Sequence, residues 1–183
     1  MIIWIAQPNP SPGPFLFLDR DGILNEDRPD YIKNRDELVF YADALEALRW
    51  LNARGIRVII ISNQSALHRG LVDWQEFFAM HQLMLEQARS AQGWIDAAFY
   101  CPHRPNESCS CRKPAPGMLL AAASYFRIPL AETAFIGDKL SDVAAAQNAG
   151  CLPVLVRRSS NPVNIPSHVP VYNSLLDAVI RFL

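Results

Sequence analysis

Phe15-Leu16-Phe17-Leu18-Asp19-Arg20-Asp21-Gly22 runs four apolar residues straight into two carboxylates one residue apart, then a glycine. A short continuous apolar run bounded by breakers suits a strand buried on both faces, as in parallel sheets. Pro12 and Pro14 fence the run in front and Gly22 closes it behind. Open α/β sheets bind ligands just beyond the carboxyl ends of their strands, and residues i and i+2 of an extended chain point the same way. Asp19 and Asp21 are therefore expected to face one small volume, with Arg20 turned aside. Two close carboxylates repel, so either a cation lies between them or one keeps a proton. The first option suits a hard cation bound by oxygen, the second an acid/base partner for a nucleophile. The same residues also read as a plain turn, because Asp-Gly is a common turn pair.

The whole chain fits such a sheet. Its 183 residues are enough for one domain with a real core, and half are hydrophobic while 19% are charged. That composition excludes a disordered chain. A net charge of −1 gives no basic footprint for nucleic acid or an anionic membrane. No apolar run approaches membrane-spanning length. The start, Met1 to Ala6, lacks the positive region of a secretion signal, so a cytoplasmic enzyme is expected. Residues 1–14, with prolines from Pro8 to Pro14, form a lead-in with an edge strand and a linker; residues 15–183 form one domain.

Beyond Gly22 a long polar connection, Asn25 to Lys33, has the length of a functional loop. Asp43 and Glu46 have capping-box spacing at the head of a helix that Gly55 stops. Ile56 to Ile61 is a second buried strand, ending in Ser62-Asn63-Gln64-Ser65. Asp73 and Glu76 cap a long helix ending near Gly93, in which Trp74, Phe77, Phe78 and His81 are expected to pack inward. Ile95 to Tyr100 is a third strand. Pro116 opens a helix to about Phe126. Thr133 to Ile136 is a fourth strand, followed by Gly137-Asp138. Ser141 to Ala149 is helical, Leu152 to Val156 is a fifth strand, and Ser174 with Asp177 caps a final helix. Strands alternating with helices predict an α/β fold: a parallel sheet covered by helices on both faces.

Three strands thus run directly into polar groups: Asp19 and Asp21, Ser62 and Asn63, and Asp138. Arg112 and Lys113 follow the third strand. A parallel sheet aligns all these ends along one edge. Carboxylates for a metal, with cations and a hydroxyl for phosphate oxygens, fit phosphoryl transfer. Asp19-x-Asp21-Gly22, Ser62, Lys113 and Gly137-Asp138-x-x-x-Asp142 resemble the four motifs of the haloacid dehalogenase superfamily of phosphatases, from Phe15 to about Val156. Ser62-Asn63-Gln64-Ser65, Cys101-Pro102-His103, Cys109-x-Cys111-Arg112-Lys113-Pro114 and Gly137-Asp138-Lys139 are similar to its zinc-loop branch, which handles heptose bisphosphates and histidinol phosphate. Asn63-Gln64-Ser65 followed by Arg69-Gly70 is closer to the heptose side.

The resemblance implies a three-layer Rossmann-like fold without a separate cap domain, and hydrolysis of the 7-phosphate of D-glycero-D-manno-heptose 1,7-bisphosphate for lipopolysaccharide precursors. Histidinol phosphate is the alternative substrate. It implies Asp19 as nucleophile, forming an aspartyl-phosphate, and Asp21 as the acid and base. Mg²⁺ would be held by Asp19, the Asp21 carbonyl and Asp138. Ser62 and Lys113 would bind phosphoryl oxygens. Asn63, Arg112 and Lys139 are candidates for the sugar or a distal phosphate, and the backbone N–H of Arg20 for the reacting phosphate. Asp142 would orient Lys139 or the metal shell, or cap a helix. The expected partner is a small phosphorylated sugar, and the expected state a monomer.

Cys101, His103, Cys109 and Cys111 supply three thiols and an imidazole within eleven residues, enough for one tetrahedral Zn²⁺. The spacing differs from that of a zinc finger. A disulfide is the alternative, disfavoured by the tight Cys109-x-Cys111 spacing and by a reducing compartment. Four protein ligands leave no open position, so the zinc is structural, and Arg112 and Lys113 follow its last ligand directly. Cys151 lies apart and reads as a buried small hydrophobe. His68 stands either against substrate or in solvent. A rival of another class is a non-catalytic scaffold that kept the fold and the zinc.

Overall fold

The computed structural model describes residues 1–7, 13–158 and 164–183. Pro12 and most of the proline-rich lead-in lie outside the described residues. Among the described residues, seven strands form one sheet: β1 (Ile2–Ile5), β2 (Phe15–Leu18), β3 (Arg57–Asn63), β4 (Ala97–Cys101), β5 (Ala134–Gly137), β6 (Leu152–Val156) and β7 (Val171–Tyr172). The same residues form five α-helices: α1 (Ala42–Ala53), α2 (Trp74–Ser90), α3 (Gly117–Phe126), α4 (Leu140–Ala149) and α5 (Leu175–Phe182). Across the sheet the order is β1-β4-β3-β2-β5-β6-β7. All pairings are parallel except that of β1, which runs antiparallel along β4. Among the described residues no helix is long and apolar enough to cross a membrane.

Alternation along the central strands divides the core into two layers. Leu16 and Leu18 of β2, Val58 and Ile60 of β3, and Ala98 and Tyr100 of β4 pack with α1, α2 and α5. Their neighbours Phe17, Ile59, Ile61, Ala97 and Phe99 pack on the other face with α3 and α4. Both faces of β2 and β3 are apolar because both are covered, hence their unbroken hydrophobic runs. The register sets Leu18 beside Ile60 and Ile136. The residues that come next, Asp19, Ser62 and Asp138, therefore emerge along one edge.

Several local expectations need correction. β3 runs on through Ser62 and Asn63, so these residues are its last members and not a loop after it. The two-residue β7 was too short to leave a pattern in the sequence. Phe77 is buried, but Trp74 and Phe78 are half exposed. They lie round the helix from the inward positions Phe77, Met80, His81, Met84 and Leu85. His81 is buried as expected, bonded through Nδ1 to the Tyr100 hydroxyl at 2.8 Å. Asp73 does cap α2, accepting from the Glu76 N–H. The box at Asp43 and Glu46 does not form: α1 begins after Tyr41, with no side-chain cap.

The Asp43 carboxylate instead receives both guanidinium nitrogens of Arg158, at 2.8 and 3.1 Å, and the Leu175 N–H at the head of α5, at 3.0 Å. Arg158 stacks on the Tyr41 ring and also reaches the carbonyls of Gly22 and Ile23, at 3.3 Å each. One carboxylate thus ties α1, α5 and, through Arg158, the turn after β2. Asp43→Ala is expected to destabilise the protein by about 1–3 kcal/mol, since it strands a guanidinium and an N–H that are mostly shielded from water. Glu46→Ala should stay within about 0.5 kcal/mol. Urea denaturation of the two variants checks both; an equal loss in each would restore the capping box.

Candidate active site

Asp19 leaves β2 with its N–H on the Ile136 carbonyl, so the backbone is still tied to β5 where the carboxylate appears. Its Oδ1 accepts from the Arg20 N–H at 2.7 Å and lies 2.9 Å from Lys113 Nζ. Lys113 is buried. Its ammonium also lies 2.7 Å from Asp142 Oδ1 and donates to the Ile61 carbonyl at 2.9 Å. Burial alone would lower the amine's pKa, but Asp142 and Asp19 outweigh it and hold it above its usual range. Asp142 Oδ2 accepts from the Lys139 N–H at 3.0 Å, so this residue both pairs Lys113 and caps α4. Gly137 is required beside it: a Cβ there would lie 2.3 Å from the Asp142 Cβ.

Asp138 stands against the turn after β2. A Cβ on Gly22, whose φ is +83°, would meet Asp138 Oδ2 at 2.2 Å, so glycine is needed for both conformation and space. Asp138 Oδ1 is buried without a hydrogen-bond partner. Burial first, then the charge of Asp19, pushes the Asp138 carboxyl up to about 8. Burial likewise pushes Asp19 up to about 6 despite Lys113. Oxygens of Asp19, Asp138 and Asp142 lie within 4.8 Å of one another. Two buried carboxylates and a half-buried third, one of whose oxygens is orphaned, lie close around one ammonium and fit a hard divalent cation.

Asp21 is held differently. Its carboxylate accepts from Arg20 Nε (2.8 Å), Asn25 Nδ2 (2.9 Å) and Gln64 Nε2 (2.8 Å). Burial would raise its pKa, but Arg20, Asn25 and Gln64 outweigh it and keep it below the usual carboxylate value. Gln64 Nε2 also donates to Ser62 Oγ at 3.0 Å, linking the hydroxyl to Asp21. Asp21, Arg20, Ser62 and Gln64 line a cavity of about 400 Å³, to which Asp27, Arg112 and Lys139 contribute as well; Asn25 is fully buried and does not line it.

Two candidate substrate groups are placed otherwise than expected. Arg20 spends its N–H on Asp19, and its guanidinium turns back onto Asp21 through Nε and Nη2, so it supports both acids. The Asn63 amide lines the cavity but bonds the Lys113 backbone both ways, donating to its carbonyl and accepting from its N–H, each at 3.1 Å. It positions Lys113. Arg112 lines the cavity, with Nη1 donating to the His103 carbonyl at 3.1 Å. Lys139 crosses the mouth to Asp27 at 2.8 Å. Gln64, Asn25 and Arg158 had no assigned part in the sequence; Gln64 and Arg158 reach their partners across 43 and 136 residues, which no local spacing reveals.

The second cluster lies beyond β4. Sulfurs of Cys101, Cys109 and Cys111 are 3.4 to 3.8 Å apart, and His103 Nδ1 is 3.3 Å from two of them. A tetrahedral zinc with Zn–S of about 2.3 Å and Zn–N of about 2.0 Å sets ligand atoms about 3.5 to 3.8 Å apart. The thiols are free, and those separations are far longer than a disulfide bond. The donor set therefore fits zinc. Burial, then the neighbouring thiols, pushes Cys101 up to about 12, a cost that a bound cation removes. The purified protein is expected to carry near-stoichiometric zinc by elemental analysis and to lose it in Cys109→Ser; equal zinc in both would exclude this site.

A family model of haloacid dehalogenase-like hydrolases matches residues 14–150. A D-glycero-beta-D-manno-heptose-1,7-bisphosphate 7-phosphatase of Pseudomonas aeruginosa is 36% identical over 162 residues, covering 88% of this chain and 91% of that one. The Bordetella bronchiseptica protein of the same name is 39% identical over 142 residues, 78% of this chain and 79% of the relative. The crystal structure of D,D-heptose 1,7-bisphosphate phosphatase from B. bronchiseptica, complexed with magnesium and phosphate, superposes with a TM-score of 0.88 at 34% identity, covering 93% of this chain and 98% of the other. With these similarities spanning the strand ends that build the cavity, the chain belongs to the haloacid dehalogenase-like hydrolases and is a phosphatase of that family.

Proposed function

We propose that the protein removes the 7-phosphate of D-glycero-D-manno-heptose 1,7-bisphosphate through an aspartyl-phosphate on Asp19. The observation that carries this is the buried Lys113 ammonium between Asp19 and Asp142, next to an unpartnered Asp138 oxygen, at the floor of a polar cavity. The names of the relatives at 36% and 39% identity support the substrate.

Asp19 attacks phosphorus as its carboxylate, held in line by the Arg20 N–H and Lys113. The bond from phosphorus to the sugar oxygen breaks, and Asp21 gives that oxygen its proton. Asp21 then takes a proton from the water that attacks phosphorus and frees Asp19. Arg20, Asn25 and Gln64 stabilise Asp21 as an anion, the form this second step needs. An incoming phosphate dianion opposes these donors and favours the protonated acid required first. Ser62 supplies its hydroxyl to a phosphoryl oxygen, and Arg112 and Lys139 face the distal end of the substrate. Asp19, the Asp21 carbonyl and Asp138 would hold Mg²⁺, which when bound offsets the repulsion between carboxylate and phosphate.

Phosphate release should be faster for heptose 1,7-bisphosphate than for histidinol phosphate by roughly 10² in kcat/KM. The opposite preference would assign the site to histidinol phosphate, and no release from any ester would leave only a scaffold. Asp19→Asn should cost about 10³-fold or more in kcat while still binding substrate. A pH dependence follows from the raised Asp138 and Asp19. Between the ordinary carboxylate range and about pH 8 the folded, metal-free protein holds more protons than the unfolded chain. Its stability therefore falls as pH rises, whereas Mg²⁺ keeps these groups ionised and removes the slope. Melting curves from pH 6 to 8 should show a widening gap between Mg²⁺-loaded and metal-free protein; a constant gap would contradict this.

A further inference from the structure

His68 has no part in the chemistry described above, yet it joins two walls of the site. It lies beyond β3, in the turn that follows Gln64 and Ser65. Its Nδ1–H donates to Glu107 Oε2 at 2.8 Å; a carboxylate offers no proton here, which fixes that tautomer. Its ring stands edge-on to His103 with centroids 5.1 Å apart and an interplanar angle of 85°. Its carbonyl accepts from Arg104 Nε at 2.6 Å, and the Arg104 N–H donates to the same Glu107 oxygen at 3.0 Å. The tip of the zinc loop, Arg104 to Glu107, is therefore fastened at two points to the turn after β3, and the Arg104 N–H bond to Glu107 braces the tip internally. Behind that fastening, the His103 carbonyl holds the Arg112 guanidinium that lines the cavity.

The zinc ligands alone leave this loop one rigid anchor, at the Cys101–Cys111 end. A loop fixed at a single cluster can still rock about it. The His68–Glu107 pair supplies a second anchor, and the His103 carbonyl of the same loop holds the Arg112 guanidinium. We propose that His68 and Glu107 form a strut that positions Arg112 for the second anionic group of a doubly charged substrate. The strut is a specificity device: it acts on the far end of the substrate and leaves the reacting phosphate to Asp19, Ser62 and Lys113. It rests on the assignment of Arg112 to that far end. His68 and Glu107 are both about one third exposed. A hydrogen bond so exposed is weak, so a modest effect on affinity is expected, without loss of the fold.

The test compares zinc-loaded wild type, His68→Ala, Glu107→Ala, the double variant and Arg112→Ala. Each is assayed with heptose 1,7-bisphosphate and with p-nitrophenyl phosphate, which has one phosphate only. His68→Ala and Glu107→Ala should each raise KM for the bisphosphate roughly three- to fivefold, with kcat within about twofold. The double variant should do no more than either single one, because both cut the same strut. In the His68 and Glu107 variants, kinetics with p-nitrophenyl phosphate and zinc content should be unchanged. Equal losses on both substrates, or loss of zinc, would reduce His68 to a structural residue and overturn the proposal. So would an unmoved KM in His68→Ala beside a raised KM in Arg112→Ala. An unmoved KM in both overturns the strut together with the assignment of Arg112.

Discussion

The site depends on an imbalance of buried charge. Asp19, Asp138 and Asp142 converge at the carboxyl edge of the sheet; Lys113 pairs directly with two of them, and Lys139, paired with Asp27, acts on Asp138 from farther out. Burial makes each uncompensated carboxylate costly. Burial raises the pKa of Asp138 and Asp19, so it favours their protonated forms. A divalent cation offsets the same cost. It brings the three carboxylates and the Lys113 ammonium to neutrality, so an anionic phosphate no longer meets a net negative site. Binding of metal, binding of phosphate and activation of Asp19 are in this sense one electrostatic problem.

The fold solves the placement. Parallel pairing of β2 with β3 and β5 delivers Asp19, Ser62 and Asp138 to one edge, because adjacent strands end together. Glycine at positions 22 and 137 then lets the carboxylates of Asp138 and Asp142 lie against backbone where a Cβ would stand. Lys113 arrives on the loop after β4, whose tip His68 holds through Glu107 between the clustered residues Cys101, His103, Cys109 and Cys111. Arg158 reaches back from the end of β6 to the carbonyls of the Gly22 turn. Each reactive group thus has an anchor on a different element, so the geometry survives local motion of any one loop.

Sequence made the architecture and the reactive groups legible because both are local signals. Doubly buried strands leave unbroken apolar runs, and polar residues at their ends stand out against them. The cysteine–histidine cluster announced itself by four residues able to hold a metal within a short stretch. What stayed hidden was contact between distant segments. Asp43 and Glu46 had the spacing of a cap, yet Asp43 was already committed to Arg158 and Leu175. Asn63 had the look of a substrate ligand, but its amide matches the Lys113 backbone in both directions. Arg20 was expected to lend its N–H to the substrate, and the Asp19 carboxylate takes it first. In each case a tertiary partner outcompeted the role that local pattern suggested.

The central claim is that a cation and a proton compete for the same buried carboxylates. Calorimetric titration of Mg²⁺ into the zinc-loaded protein at pH 7, in two buffers of different ionisation enthalpy, measures that competition directly. Release of close to one proton per Mg²⁺ bound, seen as a buffer-dependent heat and lost in Asp138→Asn, is the predicted result. Tight binding with the same heat in both buffers would contradict it, since the carboxylates would then already be ionised without the metal.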